Sequence, residues 1–414
     1  MKKRFTTFST VQLKKYALHH KLRNEKNNEK AFQSTSGDPE YIELVHSGED
    51  YFLRLKNLIE NAQKEIHLQT YIFEDDETGS SIASCLKEAA QRNVKVYVLL
   101  DAYGSADLPG NFIQDFIQHG ISFRFFSPLF SFNNFYIGRR MHHKILVADG
   151  KVALIGGINI GGKYHGNLES APWLDYAVQL NCPAAQELQA LCKNRFFKKT
   201  GVKKIKSVFH SADKALVRII QNDWLIGKTE VCDAYINALL HAEKEVVIAG
   251  SYFLPGRRMS RALRKACKRG IKITVILAGV SDVPLVRRAA SHLYSSFLRH
   301  HMELYEWNKS VLHSKAAVAD NTWATVGSFN LNSLSCYGSI EMNVEIYSSD
   351  FAETLRSDFD KVIGQCNQIT MNTLKQQSSM FNRLVNLISY QVVQVTLTFL
   401  TFLPHTRLLR KYRL

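Results

Sequence analysis

The segment 141–162, MHHKILVADGKVALIGGINIGG, returns at 312–333 as LHSKAAVADNTWATVGSFNLNS. Both copies obey His-x-Lys-x4-Asp-x6-Gly-[Gly/Ser]-x-Asn, with equal His-to-Asn spacing (142 to 159, 313 to 330). The first copy holds His142, Lys144, Asp149, Gly156, Gly157 and Asn159. The second holds His313, Lys315, Asp320, Gly327, Ser328 and Asn330. Matches at this many fixed positions, twice and in register, are a duplication rather than a coincidence. Any fold for this chain must therefore build the same local structure twice.

The residues predict that structure. HHKILVA and KVALIGG are apolar, strand-like runs joined by Asp149-Gly150, a favoured two-residue hairpin turn, and Asp320-Asn321 takes that place in the second copy. A tight turn pairs residue 148 with 151, which sets His142 opposite Gly157 and His313 opposite Ser328. His and Lys at i and i+2 share one face of a strand. Small residues opposite the histidine leave room for a bulky group, and Asn159 and Asn330 can donate an amide N–H toward it. His143 points to the other face and reads as a packed core histidine. Asp149 and Asp320 occupy turn positions, so a turn or salt-bridge role competes with a role in the site.

The duplication extends beyond the motif. SGEDYFLRLKNLIENAQKEIHLQTYIFEDDETGSSIASCLKEAAQRNVKVYVLLD (47–101) reads helix, strand, helix, strand, with Ser47 as a candidate helix cap and Phe52, Leu55, Ile59 and Ala62 at helical spacing. The same order returns in KTEVCDAYINALLHAEKEVVIAGSYFLPGRRMSRALRKACKRGIKITVILAG (228–279). Strands alternating with helices predict an α/β fold with a mostly parallel sheet. The expected division is a basic flexible arm at 1–39, one domain at 40–210, a second at 211–365 and a membrane-interacting tail at 366–414.

Charge and the termini narrow the partners. The formal net charge is +16, which favours a polyanion, either nucleic acid or an anionic membrane surface. The seven cysteines form no C-x-x-C pair and no zinc-ligand spacing, so they read as reduced thiols. The N-terminal stretch has no apolar run suited to a signal peptide, and the folded body is expected on the cytosolic side. Leu384 to Leu403 carries no charge, but Asn386, Ser389, Gln391, Gln394, Thr396, Thr398 and Thr401 make it weakly apolar for a spanning helix. With Arg407, Arg410, Lys411 and Arg413 behind it, an interfacial segment fits better. An apolar tail has no use on DNA, so nucleic acid is the disfavoured partner.

Two histidines with two lysines suit one kind of chemistry. A phosphodiester is anionic and resists nucleophiles, and Lys and Asn donors offset the charge on its non-bridging oxygens. One neutral imidazole can attack phosphorus while the other gives its proton to the leaving alcohol. Carboxylates often orient such histidines. The candidates are Glu341 in SIEMNVEI and Asp175 in PWLDYAVQL, with Glu345 as competitor.

These motifs, with TYIFEDDETG, LLDAYGS, RRMHHKILV, YFLPGRR and WATVGSFNLNSLS, resemble the phospholipase D superfamily. Within it they are most similar to the bacterial cardiolipin synthases that lack N-terminal membrane helices. The resemblance covers about residues 41 to 365. It implies two pseudo-symmetric α/β/α sandwich domains with one active site at their interface, and no metal or other cofactor. It implies transfer of a phosphatidyl group from one phosphatidylglycerol to another, giving cardiolipin and glycerol, with His142 as nucleophile and His313 as acid and base. It also implies a peripheral position on the cytoplasmic side of the bacterial cell membrane, with anionic phospholipids as partners. Hydrolytic phospholipase D activity, or more remotely a nuclease, are the alternatives. Gln69, where relatives commonly have Glu, and Asn332, where Asp is common, depart from the pattern.

Overall fold

The computed structural model describes residues 40–127, 130–131, 134–135, 139–197, 207–212, 214–223, 226–377 and 379–411. The expected arm at 1–39 lies outside these residues. Two sheets organise the rest. The first runs in the order 41–46, 176–181, 152–156, 144–148, 65–70, 95–101, 122–126. The second contains, in the corresponding order, 215–223, 339–347, 323–327, 315–319, 245–250, 272–280 and 303–311, with 209–212 and 367–369 added at its two ends. Strand for strand the orders match, so the duplication read from the motif is a duplication of a whole sheet.

The sheets are mixed rather than mostly parallel. In the first, only 65–70, 95–101 and 122–126 run parallel, through helical crossovers. The remaining four pairings are antiparallel. The cause is the motif itself: a tight turn can only join antiparallel strands, and it sits in the middle of the sheet.

The turns also correct the expected register. Asp149 and Gly150 have φ of 55° and 67°, and Asp320 and Asn321 have 51° and 50°. This is the left-handed region that Gly, Asn and Asp tolerate best. Ala148 pairs with Val152 and Ala319 with Trp323, so three residues make each connection instead of two. The ladder is displaced by one position, and Lys144, not the residue before it, faces a glycine, Gly156.

Helices cover the sheets as their spacing demands. Glu49–Asn61 buries Phe52, Leu55 and Ile59. Its first turn is preceded by Gly48, and Ser47 does not cap it. The Ser47 hydroxyl instead donates to the Trp173 carbonyl at 2.5 Å and accepts from the Asp175 amide at 3.1 Å. Asp76 caps Glu77–Gln91, and Ser348 caps Ser349–Ile363. The helices Ala184–Phe196 and Ser349–Ile363 share one core with both sheets. Leu188, Cys192, Leu355 and Phe359 pack there with Ile145 and Val178 of the first sheet and Val247 and Val344 of the second. A separate core under the helices 49–61 and 77–91 belongs to the first half. The common core fixes the two halves against each other, which is what a site assembled from both requires.

Candidate active site

The site forms where chain from each half crosses to the other. Arg140–Met141 pairs in parallel with Ser339–Ile340, and the His142 amide donates to the Ile340 carbonyl at 2.9 Å. The related crossing joins Leu174 to Leu312, where the His313 amide donates to the Leu174 carbonyl, also at 2.9 Å. Ile340 immediately precedes Glu341, and Leu174 immediately precedes Asp175. Each crossing therefore delivers a carboxylate from one half onto the histidine of the other. His142 Nδ1 lies 3.0 Å from Glu341 Oε2, and His313 Nδ1 lies 2.6 Å from Asp175 Oδ2. All four side chains are largely withdrawn from solvent.

The lysines follow from the i, i+2 spacing. Lys144 Nζ reaches back to the His142 carbonyl and Lys315 Nζ to the His313 carbonyl. Lys315 Nζ also lies 2.8 Å from His313 Nδ1 and 3.5 Å from Asp175 Oδ2. The Gly/Ser position of the motif has a steric logic. A Cβ on Gly157 would sit 2.4 Å from both Asp175 carboxylate oxygens. Ser328, its counterpart, donates from Oγ to Glu341 Oε2 at 2.6 Å. Asp is shorter than Glu and its carboxylate stays close to its own backbone, which excludes any side chain at 157.

Tautomers can be assigned from the partners. His142 Nδ1 lies between two pure acceptors, the Ser328 carbonyl at 3.1 Å and the Glu341 carboxylate. Nδ1 must carry the proton, which leaves Nε2 with a bare lone pair. His313 Nδ1 lies closest to the Asp175 carboxylate, at 2.6 Å, with the Lys315 ammonium at 2.8 Å. Both imidazoles thus meet a carboxylate of the other half at Nδ1, which leaves Nε2 of each for chemistry.

Burial dominates the site's electrostatics. It lowers His142, partly offset by Glu341 and reinforced by Lys144. Burial, then the Lys315 and Lys144 ammoniums, hold His313 well below the usual histidine value. Burial also brings Lys144 down to about 7, with Lys315 adding to the effect. It pushes Asp175 up to about 6 against the pull of Lys315. Burial thus works against charge throughout the site, and a bound phosphate anion would favour imidazolium on His313.

The other expected residues divide. Asn159 lies beside the site, its Oδ1 held by the Ile72 amide at 3.0 Å and its Nδ2 donating to the Tyr164 hydroxyl at 2.7 Å. Tyr164 packs edge-on to His313, and Tyr71 to His142. Asn330 Oδ1 accepts from Ser251 Oγ at 2.9 Å. Asp149 and Asp320 do not join the site, which corrects their inclusion among the catalytic candidates. The Asp149 carboxylate accepts from the amides of Gln63, Lys64 and Glu65 at 2.7–2.9 Å, at the far end of the strand. Asp320 does the same with Glu243, Lys244 and Glu245, at the same distances. Both tie the hairpin turn to the start of the adjacent strand.

His143 packs in the core, its Nε2 on Gln69 Oε1 at 2.9 Å, and Gln69 Nε2 donates to the Cys192 carbonyl. A neutral amide suits a buried neutral imidazole, which explains Gln at 69. Asn332 caps Ser333–Tyr337 by accepting from the Ser335 amide, a role Asp or Asn fills equally. Glu345 pairs with Arg218 and Trp323, away from the histidines. One positioning residue escaped the sequence reading. Buried Asp101 accepts from the Met141 amide at 2.7 Å and pairs with Arg140, holding the crossing strand one residue before His142. Its only sequence signal was its place in LLDAYGS, at the end of a strand.

Comparison with known proteins places this geometry. The family model "Cardiolipin synthase, PLD-like domain" matches residues 55–192 and 235–363, one segment in each half. Cardiolipin synthase B of Escherichia coli strain K12 is 34% identical over 347 residues, covering 81% of this chain and 84% of that protein. The minor cardiolipin synthase ClsB of Bacillus subtilis strain 168 is 28% identical over 341 residues, covering 81% and 85%. Among solved structures, the phosphatidylserine synthase of Haemophilus influenzae Rd KW20 aligns with a TM-score of 0.66 at 15% identity, covering 87% of this chain and 96% of that one. That likeness concerns the fold.

Proposed function

The chain belongs to the cardiolipin synthase family of phospholipase D-like proteins, and from that premise we propose that it joins two molecules of phosphatidylglycerol into cardiolipin and glycerol through a phosphohistidine intermediate. The observation that carries the mechanism is the exchange of carboxylates between the halves, one on Nδ1 of each imidazole. His142 has Nδ1 on the Ser328 carbonyl and the Glu341 carboxylate, and His313 has Nδ1 on the Asp175 carboxylate beside Lys315.

In this reading the first phosphatidylglycerol binds with its phosphate between the histidines. Lys144, Lys315 and the Asn330 amide face its non-bridging oxygens and offset the charge that builds there. His142 Nε2 attacks phosphorus and forms a P–N bond. The P–O bond to the glycerol headgroup breaks, and His313, protonated on both nitrogens opposite the bound phosphate and Asp175, gives its Nε2 proton to the departing oxygen and returns to neutral imidazole. His313 is left basic. It takes the proton from the headgroup hydroxyl of a second phosphatidylglycerol, whose oxygen attacks phosphorus and expels His142. Asp175 offsets the charge on His313 as it forms, and Glu341 fixes the His142 ring. Both lipid substrates lie in a membrane leaflet, so the protein works as a peripheral enzyme on an anionic bilayer surface, on the cytoplasmic side.

Water as the acceptor would use the same groups, so the products distinguish a synthase from a hydrolase. Purified protein incubated with phosphatidylglycerol vesicles should release one glycerol per cardiolipin formed. Phosphatidic acid without cardiolipin would replace the synthase reading with a hydrolase. Adding phosphatidylethanolamine, and asking whether cardiolipin formation then rises with release of free ethanolamine, separates a single-lipid from a two-lipid enzyme.

A further inference from the structure

The long helix Met380–Lys411 packs along the helix Pro284–Arg299 and against the short helix Ser333–Tyr337. Its inner face is formed by Ser389, Val393 and Leu397, which are buried. Tyr390 stacks at 5.0 Å on His292 of the neighbouring helix. A surface helix packed this way normally turns polar residues outward. This one does not. Phe381, Leu384, Ile388, Val392, Val395 and Phe399 are between 45% and 73% exposed. At 100° per residue they fall within one narrow stripe, on the side opposite the buried face.

We propose that this stripe is the surface by which the protein lies on an anionic lipid bilayer. Two observations select lipid over a second copy of the chain. First, the stripe advances from 381 to 399 in five steps, a mean of 3.6 residues. That is the period of a straight helix, which keeps the stripe on one line against a plane. A helical pair wound about itself needs 3.5. Second, from residue 361 to 414 the sequence contains Lys361, Lys375, Arg383, Arg407, Arg410, Lys411 and Arg413 and no acidic residue. The neighbouring helix 284–299 is likewise without acid and carries Arg287, Arg288 and Arg299. An apolar line within basic surroundings matches acyl chains beneath anionic headgroups. No helix among the described residues is long and apolar enough to cross a membrane.

The stripe is also placed to serve the site. Ser333–Tyr337, against which the helix packs, connects Asn330 to Glu341, the carboxylate on His142. The neighbouring helix begins two residues after Asp282. That carboxylate holds the Tyr252 hydroxyl at 2.6 and 2.7 Å, and its charge is felt at His313 and Lys315. Exposed Val283 and Leu285 extend the apolar surface to that point. Docking along the stripe would bring the approach to the histidines onto the leaflet that holds the substrate.

This inference rests on the lipid-transfer reading, and the test keeps the two apart. The full chain and two variants, Ile388→Asp/Val395→Asp and the milder Ile388→Ser/Val395→Ser, are floated with phosphatidylglycerol–phosphatidylcholine vesicles. Cardiolipin formation is measured on the same vesicles and on short-chain phosphatidylglycerol below its critical micelle concentration. The expected result is vesicle binding at least tenfold weaker for the Asp pair and intermediate for the Ser pair. Activity on vesicles should fall in parallel, while activity on dispersed lipid stays within about twofold. Unchanged flotation by both variants overturns the proposal. So does a dimer of the parent chain that both variants break without loss of vesicle binding. If the parent makes no cardiolipin from either form of lipid, the transfer reading fails while the flotation result still decides the stripe.

Discussion

The crosswise carboxylates make a sharp prediction. Asp175 belongs to the first half of the chain but holds the histidine of the second, at 2.6 Å and fully buried. Asp175→Asn keeps the shape and removes the charge that offsets imidazolium on His313. A hydrogen bond to a charged group is worth about 1.5–3 kcal/mol, which is roughly 10- to 150-fold in rate. The loss should appear only where His313 must donate or accept a proton. With phosphatidylglycerol, kcat should fall by that factor. With a phosphatidyl ester of an activated phenol, whose leaving group departs without a proton, the first-turnover burst of phenolate should stay within about threefold of the parent. Glu341→Gln should behave in the opposite way, because it loosens the nucleophile: the burst itself should slow, with either leaving group. Stopped-flow absorbance on stoichiometric enzyme reads both. If Asp175→Asn slows the phenolate burst as much as Glu341→Gln, the carboxylates do not divide their work between the histidines as their contacts indicate.

Three other outcomes follow from the same geometry. Gly157→Ala places a Cβ 2.4 Å from both Asp175 oxygens, so it should reproduce the Asp175→Asn defect and, by overpacking a buried site, cost about 1–3 kcal/mol of stability. A parental kcat would contradict the contact. Asp149→Ala and Asp320→Ala each strip an acceptor from three backbone amides, and each should cost about 1.5–3 kcal/mol in denaturant unfolding. The folded variants should keep kcat within about threefold, and a thousandfold loss at unchanged stability would return them to the chemistry. Lys144→Met should abolish activity yet stabilise the fold. The folded pKa of Lys144, about 7, lies below its ordinary 10.5, so the fold disfavours the ammonium. That penalty is absent above the unfolded value, grows as pH falls, and is complete below about 7. The gain from Lys144→Met, on the order of a few kcal/mol, should be full at pH 6–7 and fade toward pH 10 in thermal melts. A gain that grows with pH instead would mean the ammonium is stabilised in the fold.

Much of this was legible in the sequence, and the reasons differ by element. The duplication showed because chemistry fixed the same residue types at the same spacing twice. The hairpins showed because Asp-Gly and Asp-Asn are turn chemistry. The mostly parallel sheet was a misreading of scope: helix–strand alternation holds for the first strands of each half, but the motif hairpin turns the rest antiparallel. The one-residue error in register came from treating the turns as free. Both aspartates are instead held by three amides leading into a strand 75 to 86 residues away in sequence, contacts that no local pattern reveals. Glu341 and Asp175 could be nominated as carboxylates on strands. Their exchange between halves could not, since it depends on parallel crossings of only two residues or fewer. Asp101 acts through the Met141 backbone, and a hydrogen bond to an amide leaves no mark on its partner's side chain.

The covalent step can be trapped directly. Enzyme mixed with phosphatidylglycerol labelled at phosphorus, quenched in alkali where phosphohistidine survives, should carry label on the peptide containing His142. His313→Ala should accumulate that adduct when given an activated leaving group, and His142→Ala should carry none. Label retained by His142→Ala and lost from His313→Ala would reverse the two roles, and cardiolipin formed with no labelled protein at any time would remove the phosphohistidine from the mechanism.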